Sequence, residues 1–114
     1  MLPASHRLRD KRQFAKLLSR QHKAIHSSFF FLKASTSRQS TSRFAFITTK
    51  KIIRKAHDRN YTKRVMRAII GQLLQSGLVK GTYDTVIFAK KDIREIPYSE
   101  TFQDLKHGLE KALQ

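Results

Sequence analysis

Residues 50–67 read Lys50-Lys51-Ile52-Ile53-Arg54-Lys55-Ala56-His57-Asp58-Arg59-Asn60-Tyr61-Thr62-Lys63-Arg64-Val65-Met66-Arg67. Eight of these residues are Lys or Arg and one, Asp58, is acidic. At about 100° per residue the spacing predicts a helix over the second part, running on to about Leu74. Arg59, Asn60, Lys63, Arg64 and Arg67 then share one face, with Thr62, Val65, Met66, Ile69 and Leu73 roughly opposite. One side is apolar enough to dock on a core. The other is a row of cations with an Asn among them. Guanidinium grips phosphate oxygens bidentately and Lys adds a point charge, so the row suits a polyanion. A solvated helix face also carries charge, but it ordinarily mixes signs, and this one does not.

The imbalance extends outward. The chain has 114 residues and a formal net charge of +16. Residues 1–67 hold 18 Lys or Arg against two acids, Asp10 and Asp58, whereas residues 68–114 hold six of each. A neutral half beside a strongly basic one predicts a single domain, 1–114, with one binding side for RNA, DNA or an anionic membrane. With no cysteine there is no disulfide framework, thiolate metal site or cysteine nucleophile. Met1 to Arg12 lacks an apolar signal region, and the longest apolar run, Phe29 to Leu32, is far too short to span a bilayer. A soluble, cytoplasmic protein with no membrane partner is expected.

Upstream, Asp10 is placed to cap a helix to about Arg20, with Phe14, Leu17 and Leu18 on one face. Residues 22–34 read as extended, and Ser27 to Ala34 is rich in strand formers. By alternation Phe29 and Phe31 face one way, Phe30 and Leu32 the other. Both faces are apolar, which leaves two readings: a core face backed by a stacking platform, or a sheet covered on both sides. His22 and His26 are four apart on an extended segment, a spacing that makes no metal site there. A polar loop, Ser35 to Ser42, leads to a strand at Arg43–Thr48, expected to pair back as a hairpin.

Downstream, Gly71 interrupts the basic helix late and Ser76-Gly77 ends it. Asp84 to Ala89 reads as a short buried strand ending at Lys90-Lys91. Pro97 precedes a last helix with Ser99 as its N-cap and Phe102, Leu105, Leu109 and Ala112 as an apolar stripe. The predicted order is α-β-β-β-α-β-α, an α+β two-layer sandwich. Catalytic signatures are absent. A metal nuclease needs clustered carboxylates, and the basic half holds only Asp10 and Asp58. No Walker loop, HExxH or Ser/His/Asp pattern occurs. The chain reads as a binder whose partner does any chemistry.

The residues now point to a family. Thr49-Lys50-Lys51 followed by Arg59-Asn60-x-x-Lys63-Arg64-x-x-Arg67 resembles the signature of the bacterial ribonuclease P protein component. Arg7 to Phe14 is similar to that family's opening basic segment, and Tyr83 to Lys91 to its last strand, with a terminal amphipathic helix after it. The resemblance implies an α/β sandwich whose basic helix lies in an unusual left-handed crossover between parallel strands. It implies a protein subunit that binds a catalytic RNA and the 5′ leader of precursor tRNA, and promotes magnesium-dependent endonucleolytic removal of that leader. The protein alone would be inactive, and magnesium would be held mainly by the RNA. Arg59, Asn60, Lys63, Arg64 and Arg67 would face the catalytic RNA, with Lys50, Lys51, Arg54 and Lys55 adding to the RNA-binding surface. Phe14, Leu18, Lys51, Ala89 and Lys91 would line a leader-binding cleft between the first helix and the sheet.

The chain departs from the family pattern at Tyr61, where a third basic residue usually follows Arg-Asn, and at Ile52-Ile53, in a linker that is longer and lacks the usual glycine. Leu18 stands where an aromatic is common, and Leu32 is aligned with a cleft aromatic of the second strand. Two other functions fit the charge: a structural RNA-binding protein such as a ribosomal one, and a DNA-binding domain reading the major groove. No short helix and turn precede residues 58–75 to make a helix-turn-helix pair, so DNA is not the expected partner.

Overall fold

The computed structural model describes residues 23–36, 42–78 and 81–113. The expected helix at 10–20, with Phe14 and Leu18, lies outside them. Four strands and two helices follow in the order β1 (Lys23–His26), β2 (Phe30–Thr36), β3 (Arg43–Ile47), α1 (Ala56–Gln75), β4 (Tyr83–Ala89) and α2 (Tyr98–Ala112). They form the expected α+β arrangement, one sheet with helices against it.

The sheet order is β1-β2-β4-β3. β1 and β2 form an antiparallel hairpin, and β4 pairs antiparallel with β2 and parallel with β3. The hairpin expected between β2 and β3 does not form, because β4 lies between them. β4 is the strand best suited to a central place, since Thr85, Val86 and Ile87 are apolar or compact and all 0% exposed. The connection from β2 is too long and polar to be a tight hairpin turn, and it has the reach to step over a strand at about 4.8 Å per spacing. Parallel neighbours need a crossover, and α1 supplies it.

Alternation gives the sheet two apolar faces. On one, Phe30, Leu32, Ala34, Phe44, Ile87 and Ala89 meet Met66, Ile69, Ile70 and Leu73 of α1 and Leu105, Leu109 and Ala112 of α2. Each large side chain buried here stabilises the fold by roughly 1.5–3 kcal/mol relative to exposure. On the other, Ala45 and Val86 are buried with Ile47 and Phe88 packed on them. Leu32 therefore belongs wholly to the helix side, not to any cleft on the other face. The residue that β2 presents there is Phe31.

The buried stripe of α1 is Asp58, Thr62, Met66, Ile69, Ile70 and Leu73, with Val65 only half-buried at its edge. The helix passes through Gly71 unbroken and ends in a Schellman motif. Gly77 takes φ +78°, its N–H donates to Leu74 O at 3.2 Å, and Leu78 N–H donates to Leu73 O at 3.4 Å. Helix α2 begins two residues earlier than a Ser99 cap would allow. The Pro97 carbonyl accepts from the amides of Glu100 (3.0 Å) and Thr101 (3.1 Å), so the extended Pro97, at ψ 139°, occupies the N-cap position. On α2, Asp104 ties down the β1–β2 turn. Its carboxylate accepts from the Ser27 hydroxyl at 2.7 Å and from the amides of Ser28 and Phe29 at 3.0 Å each.

Candidate nucleic-acid interface

The basic helix is entered through a compact turn. The amides of Ile52 (3.2 Å) and Ile53 (2.9 Å) both donate to Thr49 O. Ile53 is driven into the protein, 2% exposed, while Lys50, Lys51, Arg54 and Lys55 are thrown outward. Arg59 folds back over this turn, and its Nη1 donates to Ile53 O (3.0 Å) and Arg54 O (2.8 Å). One cation of the helix thus holds the loop that displays four others.

Asp58 has a different place from its neighbours. It sits in the first turn of α1, where an anion complements the positive end of the helix dipole. Its residue is only 6% exposed, and Arg94 from the loop after β4 places Nη1 3.2 Å from Asp58 Oδ2. Asp92 in turn accepts from Arg94 Nε and Nη2, at 2.9 Å and 2.7 Å to Oδ2. That hydrogen-bonded ion pair holds the Asp92 carboxyl below the usual carboxylate range. Nothing local in the sequence marks Arg94 as the partner of Asp58, 36 residues away.

Along the helix, Asn60 and Arg64 are exposed, and Lys63 and Arg67 are half-buried. Arg67 rests its guanidinium over the Phe46 ring, 5.9 Å from the centroid. The expected cationic row is therefore present, with Asn60 and Arg64 its most open members and Arg59 and Arg67 engaged at its flanks.

The same turn borders a pocket of about 580 Å³ on the sheet face turned from the core. Among the described residues its walls are Phe31, Lys33, Thr49, Ile52, Phe88, Ala89 and Lys90. An aromatic row runs across this face: His26 and Phe31 have ring centroids 4.3 Å apart, Phe31 and Phe88 5.6 Å. Of the expected cleft residues, Ala89 borders the pocket only from its place in β4, since in register with Phe30 it belongs to the helix-side core. Lys51 sits between Thr49 and Ile52 in the turn, and Lys91 follows Lys90, with its Nζ 5.9 Å from the Phe29 ring centroid. Phe31 and Phe88 were not singled out as site residues. The alternation of Phe29 and Phe31 against Phe30 and Leu32 was the signal that points to the first of them.

No group of three His, Cys, Asp or Glu able to hold a metal ion occurs among the described residues. Three of the described carboxylates are committed to guanidinium groups: Asp58 and Asp92 to Arg94, and Asp84 to Arg43 through bonds of 3.0 Å and 2.9 Å. No helix among the described residues is long and apolar enough to cross a membrane.

The fold and surface define a small α+β domain with a cationic helix beside an aromatic pocket. The Ribonuclease P family model matches residues 2–113, so the chain belongs to that family. It is 32% identical over 113 residues to a ribonuclease P protein component of Pseudanabaena sp., covering 98% of this chain and 95% of the relative. A second, from Acinetobacter baylyi, is 33% identical over 87 residues, 76% of this chain and 64% of the relative. In fold it is similar to the RNase P protein of Thermotoga maritima, with a TM-score of 0.79 at 22% identity over 92% of this chain and 96% of that one. The Staphylococcus aureus RNase P protein gives 0.77 at 17% identity, covering 94% of each.

Proposed function

We propose that this protein is the accessory subunit of a ribonuclease P ribonucleoprotein, binding the catalytic RNA and the 5′ leader of precursor tRNA so that the RNA removes the leader. The carrying observation is the shared turn at Thr49–Lys55. One end opens onto the aromatic pocket and the other displays the cations at the start of α1. In this reading Lys50, Lys51, Arg54, Lys55, Asn60, Lys63 and Arg64 meet phosphates of folded RNA, while Arg59 and Arg67 hold the surface in shape. Phe31 and Phe88 offer rings to leader bases and Lys33 neutralises a phosphate beside them, the arrangement that suits single strands, while Lys90, whose Nζ donates to Ser27 O at 2.8 Å, braces the pocket wall.

Magnesium would supply the activated water and the charge stabilisation of the cut. Among the described residues Asp58, Asp84 and Asp92 are paired with Arg43 or Arg94 and no cluster of three candidate ligands occurs, which supports the RNA as the holder of that ion. The protein's part is to lower repulsion between two RNAs and to fix the leader. The test compares the reconstituted complex's affinity for precursor tRNA with and without its leader. A preference for the leader that the RNA alone lacks is expected; equal affinities would overturn leader binding.

A further inference from the structure

Tyr61 stands out on α1. It is 39% exposed, whereas Met66, Ile69, Ile70 and Leu73 of the same helix are at most 2% exposed. Among the described residues only two other large apolar side chains are as open, Ile52 and Tyr98. At about 100° per residue, Tyr61 lies about 60° round the helix from Arg64 and about 40° from His57. The most open ridge of α1 is therefore Asn60, Arg64, His57 and Tyr61, with the ring on the side away from Lys63 and Arg67. The His57 side chain is 87% exposed. The one acid near this ridge, Asp58, is turned inward and met by Arg94.

Resting on the reading above, we infer that Tyr61 is a base-stacking residue of the RNA interface. Arg64 and Asn60 hold the backbone of the catalytic RNA while the Tyr61 ring packs on an unpaired nucleobase beside it. Charge decides the class of partner. An apolar ring flanked on one side by an exposed His, Arg and Asn suits a polyanion that also carries flat apolar faces, and an unpaired stretch of RNA has both. Phosphate contacts fix register without reading sequence, so a stacked base adds a contact whose strength does not depend on salt in the same way.

Tyrosine emission reads this directly. The chain has three Tyr and no Trp, so Tyr83→Phe with Tyr98→Phe leaves Tyr61 as sole emitter. Titration with a bacterial ribonuclease P RNA should quench that emission. Tyr61→Ala should weaken binding roughly 5- to 100-fold, and Tyr61→Phe should restore it. Tyr61→Arg should bind well at low salt but with a slope of log K against log salt steeper by about 0.7–0.9. Unquenched emission on binding, or Tyr61→Ala binding like wild type, overturns the stack and leaves the subunit reading standing. Failure of the unsubstituted protein to bind the RNA at all overturns both.

Discussion

Arg94, in the loop between β4 and α2, sets its guanidinium 3.2 Å from the largely buried carboxylate of Asp58 in the first turn of the basic helix. The contact joins the cationic surface to the electrically balanced half of the chain. It fixes where the helix starts, and so where Asn60 and Arg64 project.

Removing Arg94 should therefore do more than remove one charge. Arg94→Ala strands the Asp58 carboxylate and should lower Tm. In an Asp58→Asn background the same change should have a much smaller effect, as the non-additivity of a coupled pair requires. The acid side carries a sign. Asp92 is held below the usual carboxylate range by its hydrogen bonds to Arg94, so its contribution is complete above that range and lost as pH falls below it. Because Arg94 is the cause of that depression, the Tm gap between wild type and Arg94→Ala should be widest near neutral pH and should narrow as pH falls through the carboxylate range, in melts followed down to about pH 3.

Two helical glycines should respond oppositely to alanine. A Cβ on Gly71 meets nothing within 4 Å, so Gly71→Ala should stabilise by about 0.5–1 kcal/mol through helix propensity. A Cβ on Gly108 would lie 2.9 Å from Leu32 Cδ1, and Leu32 is fully buried. Gly108→Ala should destabilise by about 1–3 kcal/mol as the core is overpacked. Chemical denaturation of the two variants checks both signs.

The helix and its charged row were legible because periodicity and charge sign reinforce each other over residues 56–75. The core stripe of α2, with Leu105, Leu109 and Ala112 buried, was legible from apolar periodicity alone, since its charges are mixed. Strand order was not. The pairing of β3 with β4 depends on β4 being the strand that tolerates burial on both faces, a comparison among strands that no single segment displays. The site was legible as a surface but not in its roles. Arg59 and Arg64 look alike in sequence, yet one turns back on Ile53 and Arg54 and the other stays open. Leu32 and Phe31 are neighbours, and which of them meets the pocket depends on which face the helices cover.

That difference in role gives a test on the helix. Arg64→Ala should weaken binding to the catalytic RNA by about 1.5–3 kcal/mol, the worth of a charge-assisted phosphate contact, with Tm unchanged. A fall in Tm with affinity kept would assign Arg64 to the scaffold instead.

Phe31 tests the pocket. Its ring lies between His26 and Phe88 on the open face. Phe31→Ala should cost about 1–3 kcal/mol in affinity for leader-bearing substrate and leave leaderless tRNA unaffected. Equal losses for both, with a lower Tm, would make Phe31 a packing residue.

Reconstitution tests the central claim most directly. Cleavage of precursor tRNA is measured with protein alone, RNA alone and both together, across magnesium concentrations. The account predicts no cleavage by the protein at any magnesium level. With a bacterial ribonuclease P RNA it predicts cleavage at the leader junction that depends on the protein at low magnesium and less so at high magnesium, because protein cations replace part of the screening of RNA charge. Cleavage by repurified protein alone, or an RNA whose activity the protein never changes, would contradict it.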